Sequence, residues 1–227
     1  MTLADAQRLT EILLAVAFIQ QSLEHLSATP DMRVLFSLRI LLSVLLIVGL
    51  DPRVIELGLL AVGLLALRRY QGPYNGGSDR MGYLILVCLC LSRWAPSLKW
   101  QEIAFGYIAL QLTLSYVIAG WVKIVNSDWR SGVALTDVFR FSVYPVSESL
   151  RAVHARPKLL LIASWAVMLL ELLFPFALVN RYALYVTLTL TALFHLANAC
   201  CFGLNRFVWV WLAAYPSLLW FQQRLFA

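Results

Sequence analysis

The chain has little charge for its length. Only 13% of its 227 residues are charged and 61% are hydrophobic, whereas charged residues make up about 25% of ordinary soluble domains. The mean hydropathy is +0.78, and no stretch is long and polar enough to form a soluble domain. We therefore predict an all-α, polytopic membrane protein in which residues 1–227 form a single transmembrane domain.

Lysine is scarce, because 15 of the 18 basic residues are arginine. A formal net charge of +6 would suit a nucleic-acid partner. However, the basic residues are scattered one or two at a time between apolar runs and do not line one face. Such scattering is typical of topology signals and lipid head-group contacts, so the lipid bilayer is the predicted partner and nucleic acid is excluded.

Several common catalytic signatures are missing. The sequence contains no Gly-rich phosphate loop, no metal-ligand triad and no nucleophile elbow, so hydrolase, kinase and metalloprotease functions have no support and no metal site is predicted. The cysteines occur as Cys88-x-Cys90 and Cys200-Cys201, spacings that match neither zinc sites nor thioredoxin-like motifs. We interpret them as small apolar filler, with a redox pair as the alternative. The N-terminus has no small-residue cleavage site, so no removable signal peptide is expected.

Eight apolar segments approach the roughly 20 residues that a spanning helix needs. Because unpaired backbone polar groups are not tolerated in lipid, these segments must be helical. The first is amphipathic and either spans or lies in the head-group plane, so we predict a bundle of seven to eight transmembrane helices. Interfacial helices are predicted after the fifth segment. The segments are Leu9–Leu26, Val34–Leu50, Val54–Leu67, Met81–Leu98, Ile103–Val122, Leu159–Val179, Tyr182–Leu204 and Phe207–Phe221.

Lys123 ends the fifth segment and is followed at once by a polar turn with an aromatic residue, Asn126-Ser127-Asp128-Trp129-Arg130. A charge at such a position costs on the order of 2.5–3.5 kcal/mol on insertion scales, which indicates a functional group. The alternative is a snorkelling lysine that marks the helix end.

The residues four, eight and twelve positions before Lys123 are Ala119, Ser115 and Gln111. They form a small and polar stripe on one helical face, which is predicted to point into protein. An amine on that face loses hydration, which favours its neutral form and makes it a usable base. The alternative is a salt bridge with Asp128 or another carboxylate.

Two further groups lie within later apolar segments. Glu171 is near the middle of its segment and Pro175 follows four residues later, which predicts a bent turn holding a carboxyl group and a freed carbonyl. A role in pairing or proton transfer is favoured over a kink made only for packing. His195 and Asn198 are three residues apart, so both project from one face and could reach one ligand. For His195 the alternative is an interhelical hydrogen bond.

The order of these features resembles a known family, the horizontally transferred transmembrane (HTTM) family, which includes the membrane part of vitamin K-dependent gamma-carboxylases. The resemblance extends from about Tyr70 to Trp220. Four motifs carry it: Asn75-Gly76-Gly77-Ser78-Asp79; Tyr116-Val117-Ile118-Ala119-Gly120 leading to Lys123 and Asn126-Ser127-Asp128-Trp129-Arg130-Ser131-Gly132-Val133-Ala134-Leu135; Glu171-Leu172-Leu173-Phe174-Pro175; and Phe194-His195-x-x-Asn198.

The resemblance implies a site and a reaction. Lys123 would be the base that deprotonates reduced vitamin K or a menaquinol, and Glu171 would hold charge or relay protons. O2 would then turn the quinol into a strong base, giving quinone epoxidation with or without CO2 addition to a small or peptide substrate. The resemblance also implies contacts to the quinol or the substrate from His195, Asn198, Asn126, Asp128, Trp129 and Asp79.

This chain departs from the animal enzymes in two places. Those enzymes carry a large soluble domain after the membrane part, whereas this sequence ends at Ala227. Where they have an Asn-His pair near the start of a span, this chain has Gly77-Ser78-Asp79-Arg80. The expected location is the bacterial inner membrane, with an isoprenoid quinone as partner.

Two other functions remain open. One is a non-catalytic membrane protein that binds a quinone, a lipid or a hydrophobic peptide, for example in peptide-toxin maturation or export. The other is a proton-coupled transporter, which would need a relay of carboxylates across the bundle, where the sequence offers Glu171.

Overall fold

The computed structural model describes residues 1–26, 30–69, 76–142 and 147–226, and within these ranges it contains helices and no strands. Helices cover most of each of the eight predicted apolar segments. The α-helices are α1 Leu3–His25, α2 Pro30–Val48, α3 Pro52–Arg69, α4 Gly76–Trp94, α5 Leu98–Val125, α6 Ser127–Arg130, α7 Val133–Phe141, α8 Glu148–Arg151, α9 Pro157–Leu173, α10 Arg181–Phe202 and α11 Asn205–Leu225, with 3-10 helices at Ala152–Ala155 and Phe174–Val179.

Three helical segments in the described ranges are long and apolar enough to cross a membrane. They are α5, the continuous segment Pro157–Val179 that contains α9, and α10. The all-helical class is therefore confirmed, whereas the count of seven to eight spans stays a prediction. The predicted short helices after the fifth segment are present as α6, α7 and α8.

Helix ends follow from local sequence. The Asn180 side chain accepts hydrogen bonds from the amides of Tyr182 and Ala183 and so caps the start of α10, and Gly203 ends that helix with a positive φ of 68°. Asn126 caps α6 in the same way, through the amide of Asp128. These caps satisfy backbone groups that the helix itself leaves unpaired.

Two local features differ from the sequence prediction. Gly76–Asp79 form the first turn of α4, so this helix begins five residues before the predicted segment Met81–Leu98, and the preceding residues 70–75, including Asn75, lie outside the described residues. Pro175 does not kink a continuous α-helix: α9 ends at Leu173, and Phe174–Val179 continues as a 3-10 helix. Pro175 lies in the first turn of this 3-10 helix, where the N–H that proline lacks would have no helical partner.

The described chain divides into two compact units. The first contains residues 1–110 and 209–227, and the second contains residues 111–208. The single domain predicted over residues 1–227 stays a prediction.

The first unit buries charged side chains between its helices. Arg93 of α4 pairs with Glu11 of α1 and, at 3.0 Å, with Glu56 of α3. Glu11 and Glu56 have no exposed surface. Arg8 donates to the carbonyls of Leu46 and Ile47 at the end of α2. The ends of α1 to α4 are therefore tied together by charge-assisted hydrogen bonds.

The second unit has narrow buried stripes and broad apolar outer faces. On α9 the buried residues are Leu160, Ser164, Met168 and Glu171, three or four positions apart. Apolar side chains on the remaining faces of α9 and on the 3-10 helix after it are exposed, for example Ile162 at 68% and Phe176 at 69%. Large exposed apolar surface on a long helix is what contact with lipid requires.

Candidate functional site: a buried amine–carboxylate pair

Lys123 lies in the last turn of α5, and its side chain is 18% exposed. Its Nζ donates to both carboxylate oxygens of Glu171, at 2.7 and 2.6 Å, and more weakly to the carbonyl of Ala119 at 3.4 Å. The Glu171 side chain is only 4% exposed. The partner of Lys123 is thus a carboxylate 48 residues away, and not the nearby Asp128, which is exposed.

The approach of α5 to α9 depends on Gly120. A Cβ at this position would lie 2.9 Å from Cγ of Leu172, 3.0 Å from the Leu172 backbone nitrogen and 3.0 Å from Cβ of Glu171. Small residues let the backbones of membrane helices come close together. Gly120, one turn before Lys123, therefore places Glu171 within reach of the amine.

The predicted polar stripe on α5 lies at the border of the buried face. Gln111, Ser115, Ala119 and Lys123 are each half-buried, whereas Leu112, Tyr116 and Gly120 are buried. The buried face of α5 is therefore centred on Leu112, Tyr116 and Gly120, each one residue after a member of the predicted stripe.

Tyr116 and His195 form a second polar contact in this unit. The Tyr116 hydroxyl and His195 Nε2 are 2.9 Å apart, and the Tyr116 ring stacks on Phe174 with centroids 4.3 Å apart. Phe174 follows Glu171 by three residues and is fully buried. Tyr116 precedes Lys123 by two helical turns, or about 10 Å along the axis. One face of α5 therefore carries both contacts.

The residues that follow Lys123 pack against α9. Ser164 Oγ donates to the Trp129 carbonyl at 2.6 Å, and Trp165 Nε1 donates to the Arg130 carbonyl at 3.0 Å. The Lys123 Nζ lies 5.4 Å from the centre of the Trp129 ring, within the range of a cation–π interaction. Two side chains of α9 thus donate hydrogen bonds to backbone carbonyls at the end of the short helix α6.

The other predicted site residues have different surroundings. Asn126 is exposed and caps α6. Asn198 is half-buried in the last turns of α10. Asp79 lies in the first unit, where it accepts a hydrogen bond from Gln21, which in turn accepts one from Arg39 at 2.7 Å. The described contacts therefore connect Lys123 with Glu171 and Trp129, whereas His195 contacts Tyr116.

Sequence reasoning did not single out three residues that build this site. Gly120, Tyr116 and Phe174 appeared only within longer motifs. The signal that could have identified Gly120 and Tyr116 is their spacing of four residues, which continues the buried stripe from Leu112.

This arrangement defines an all-helical membrane domain in which an amine and a carboxylate are paired between apolar helices. The HTTM domain matches residues 96–223, which is more than half of the chain. The chain belongs to the HTTM family, whose domain occurs in vitamin K-dependent gamma-carboxylases. The match includes the Lys123, Glu171 and His195 motifs and begins after Asp79. No curated protein and no solved structure matches the chain.

Proposed function

We propose that this protein is an integral membrane enzyme of the vitamin K-dependent gamma-carboxylase type, which uses a reduced quinone and O2 for strong-base chemistry. The observation that carries the proposal is the Lys123–Glu171 pair, held by two helices that are each apolar enough to cross a membrane. Polar pairs at such positions are costly and usually mark functional sites.

The donor set suits a quinol. An amine, a phenol, an imidazole and a carboxamide (Lys123, Tyr116, His195 and Asn198) offer hydrogen bonds to the two oxygens of a hydroquinone without placing an unpaired charge in lipid. Reaction of a bound quinol with O2 would supply a base strong enough to remove a proton from carbon, and the quinone would leave as its epoxide. We assign His195 and Asn198 to holding a quinol oxygen, and Asn126, Asp128, Trp129 and Asp79 remain candidates for substrate contacts.

Glu171 gives Lys123 a route to its neutral form. At 2.6 Å the carboxylate can take a proton from the ammonium group, which leaves a free amine beside a neutral acid. In surroundings of low polarity the two charged groups lose much of their hydration, so this transfer costs less than it would in water. Nζ of Lys123 then accepts the proton of a bound hydroxyl, and Glu171 retains the proton it took.

The test is quinone turnover. Purified protein in lipid nanodiscs receives reduced menaquinone or vitamin K and O2, and the epoxide is measured by chromatography. We expect Lys123→Ala to lower the rate by about 10²- to 10⁴-fold, the usual contribution of a general base. Lys158→Ala is the matched control, because Lys158 is exposed on α9, and it should retain the wild-type rate. Wild-type protein that forms no modified quinone above the Lys123→Ala background would contradict the proposal.

A non-catalytic binding protein is the second candidate. It is favoured by the fact that both Glu171 oxygens bind Nζ, because a fully paired amine is also what a structural role requires. In that case the purified protein would retain a quinone, lipid or peptide without converting it. The double variant Lys123→Met, Glu171→Leu, which removes the pair without leaving a buried charge alone, would retain the same amount.

We also propose that the remaining long helices span the bilayer and that the protein is multi-pass in a bacterial inner membrane. Exposed apolar side chains on α2 and α3 support this, for example Val34 at 72%, Val48 at 75% and Val54 at 61%. Such side chains would otherwise be in contact with water.

A further inference from the structure

The first unit has an apolar groove between the end of α4 and the start of α5. Its volume is about 570 Å³, within the range of small-ligand sites. None of the predicted site residues lines it. The groove is therefore a separate feature, independent of the proposed quinone chemistry.

The two walls of the groove are helix faces. On α4 the lining residues Cys88, Leu91 and Trp94 are three positions apart, and on α5 the lining residues include Trp100, Ile103 and Tyr107. Residues three or four positions apart lie on one face of a helix. Trp100 to Tyr107 corresponds to about 10 Å along the axis, so the groove extends along the helices for about two thirds of one leaflet of a hydrocarbon core.

The end of the groove at the turn between α4 and α5 carries positive charge. The guanidinium of Arg53, in the first turn of α3, lies 6.0 Å from the centre of the Trp94 ring. Arg53 is exposed, and among the described residues no carboxylate pairs with it. Exposed Lys99 precedes Trp100 in the chain. Tryptophan and basic residues at helix ends are typical of the level of lipid head groups.

We propose that this groove binds one anionic phospholipid, with an acyl chain between α4 and α5 and the phosphate beside Arg53. Charge complementarity selects this occupant, because a neutral quinone or a zwitterionic lipid gains less from an unpaired guanidinium beside an apolar slot. The direction of the groove along α5, a candidate spanning helix, suits a chain that lies along the membrane normal.

The test uses tryptophan fluorescence of the full-length protein in nanodiscs. Phosphatidylglycerol or phosphatidylcholine with brominated chains is added, since bromine quenches tryptophan on contact. We expect the brominated anionic lipid to quench more strongly at equal mole fraction. Replacement of Trp94 and Trp100 by Phe should remove that difference, which would assign it to the groove.

Two arginine variants make the test specific. Arg53→Gln should lower the preference for phosphatidylglycerol about fivefold, the effect expected for one basic group at a head group. Arg68→Gln, an exposed arginine at the other end of α3, should leave the preference unchanged. Equal quenching by the two lipids, an unchanged preference in Arg53→Gln, or displacement of the brominated anionic lipid by menaquinone would each overturn the proposal. None of these outcomes depends on whether the protein turns over a quinone.

Discussion

At the scale of single residues, the Lys123–Glu171 pair belongs with buried salt bridges. With 18% and 4% of the two side chains exposed, neither charge is well hydrated if its partner is removed. An exposed ion pair contributes about 0–1 kcal/mol, whereas removal of one partner of a buried pair costs about 3–5 kcal/mol, because the remaining charge is left uncompensated. The pair therefore contributes to the fold as well as to any chemistry.

Stability and chemistry can be separated by double substitution. We expect Lys123→Ala alone to lower the free energy of unfolding by on the order of 3 kcal/mol, because it leaves the Glu171 carboxylate buried alone. The double variant Lys123→Met, Glu171→Leu should regain most of that loss and still form no epoxide. Thermal unfolding in detergent measures the first effect, and quinone turnover measures the second. If the double variant is as unstable as Lys123→Ala, the lost stability does not come from an uncompensated Glu171 charge.

At the scale of helices, the site depends on how closely α5 approaches α9. Gly120 lies in that contact, and Gly132, between α6 and α7, lies where the chain after α5 approaches Leu161 of α9. A Cβ on Gly132 would meet Cα of Leu161 at 2.9 Å, and Gly132 has a φ of +79°, which side chains rarely adopt. The atoms nearest to a Cβ at Gly132 belong to the Leu161 backbone, which cannot move aside as easily as the end of a flexible side chain.

Two glycines of α5 provide a matched comparison. Gly120→Ala should lower stability by about 1–3 kcal/mol through overpacking and lengthen the contact between Lys123 and Glu171. A Cβ on Gly106 would meet only side-chain atoms, at 3.5 Å or more. Gly106→Ala should therefore be neutral or stabilising by about 0.5–1 kcal/mol, the helix preference of alanine over glycine. Equal melting temperatures for the two variants would mean that the approach at Gly120 is not tight.

At the scale of the whole molecule, three helices in the described ranges have the length and composition of membrane spans. If the segment Pro157–Val179 spans, then its two ends lie on opposite sides of the bilayer. Ser149, in α8 before it, and Arg181, at the start of α10 after it, are both exposed. These positions can therefore report the topology directly.

Cysteine labelling tests this topology. In a variant whose native Cys88, Cys90, Cys200 and Cys201 are replaced by alanine, Ser149→Cys and Arg181→Cys should react with a membrane-impermeant maleimide from opposite sides. Ile162→Cys is the control: its side chain is 68% exposed on α9, and in lipid it should react from neither side. Labelling of both test positions from the same side would exclude α9 as a span.

The sequence by itself determined that the chain is helical and apolar, where its long helices lie, and which ionisable groups interrupt the apolar runs. These properties depend on composition and on periodicity, which act locally. Lys123, Glu171 and His195 could be selected in this way because a polar group in an apolar run is costly wherever the helix packs.

Only the tertiary structure decided which groups meet. The sequence left open whether Lys123 pairs with Asp128 or with another carboxylate, and the structure pairs it with Glu171. Partner choice depends on the rotation and the approach of α5 against α9, which Gly120 permits and which periodicity does not specify. A helical pattern determines which side chains share a face, whereas packing between helices determines what that face contacts.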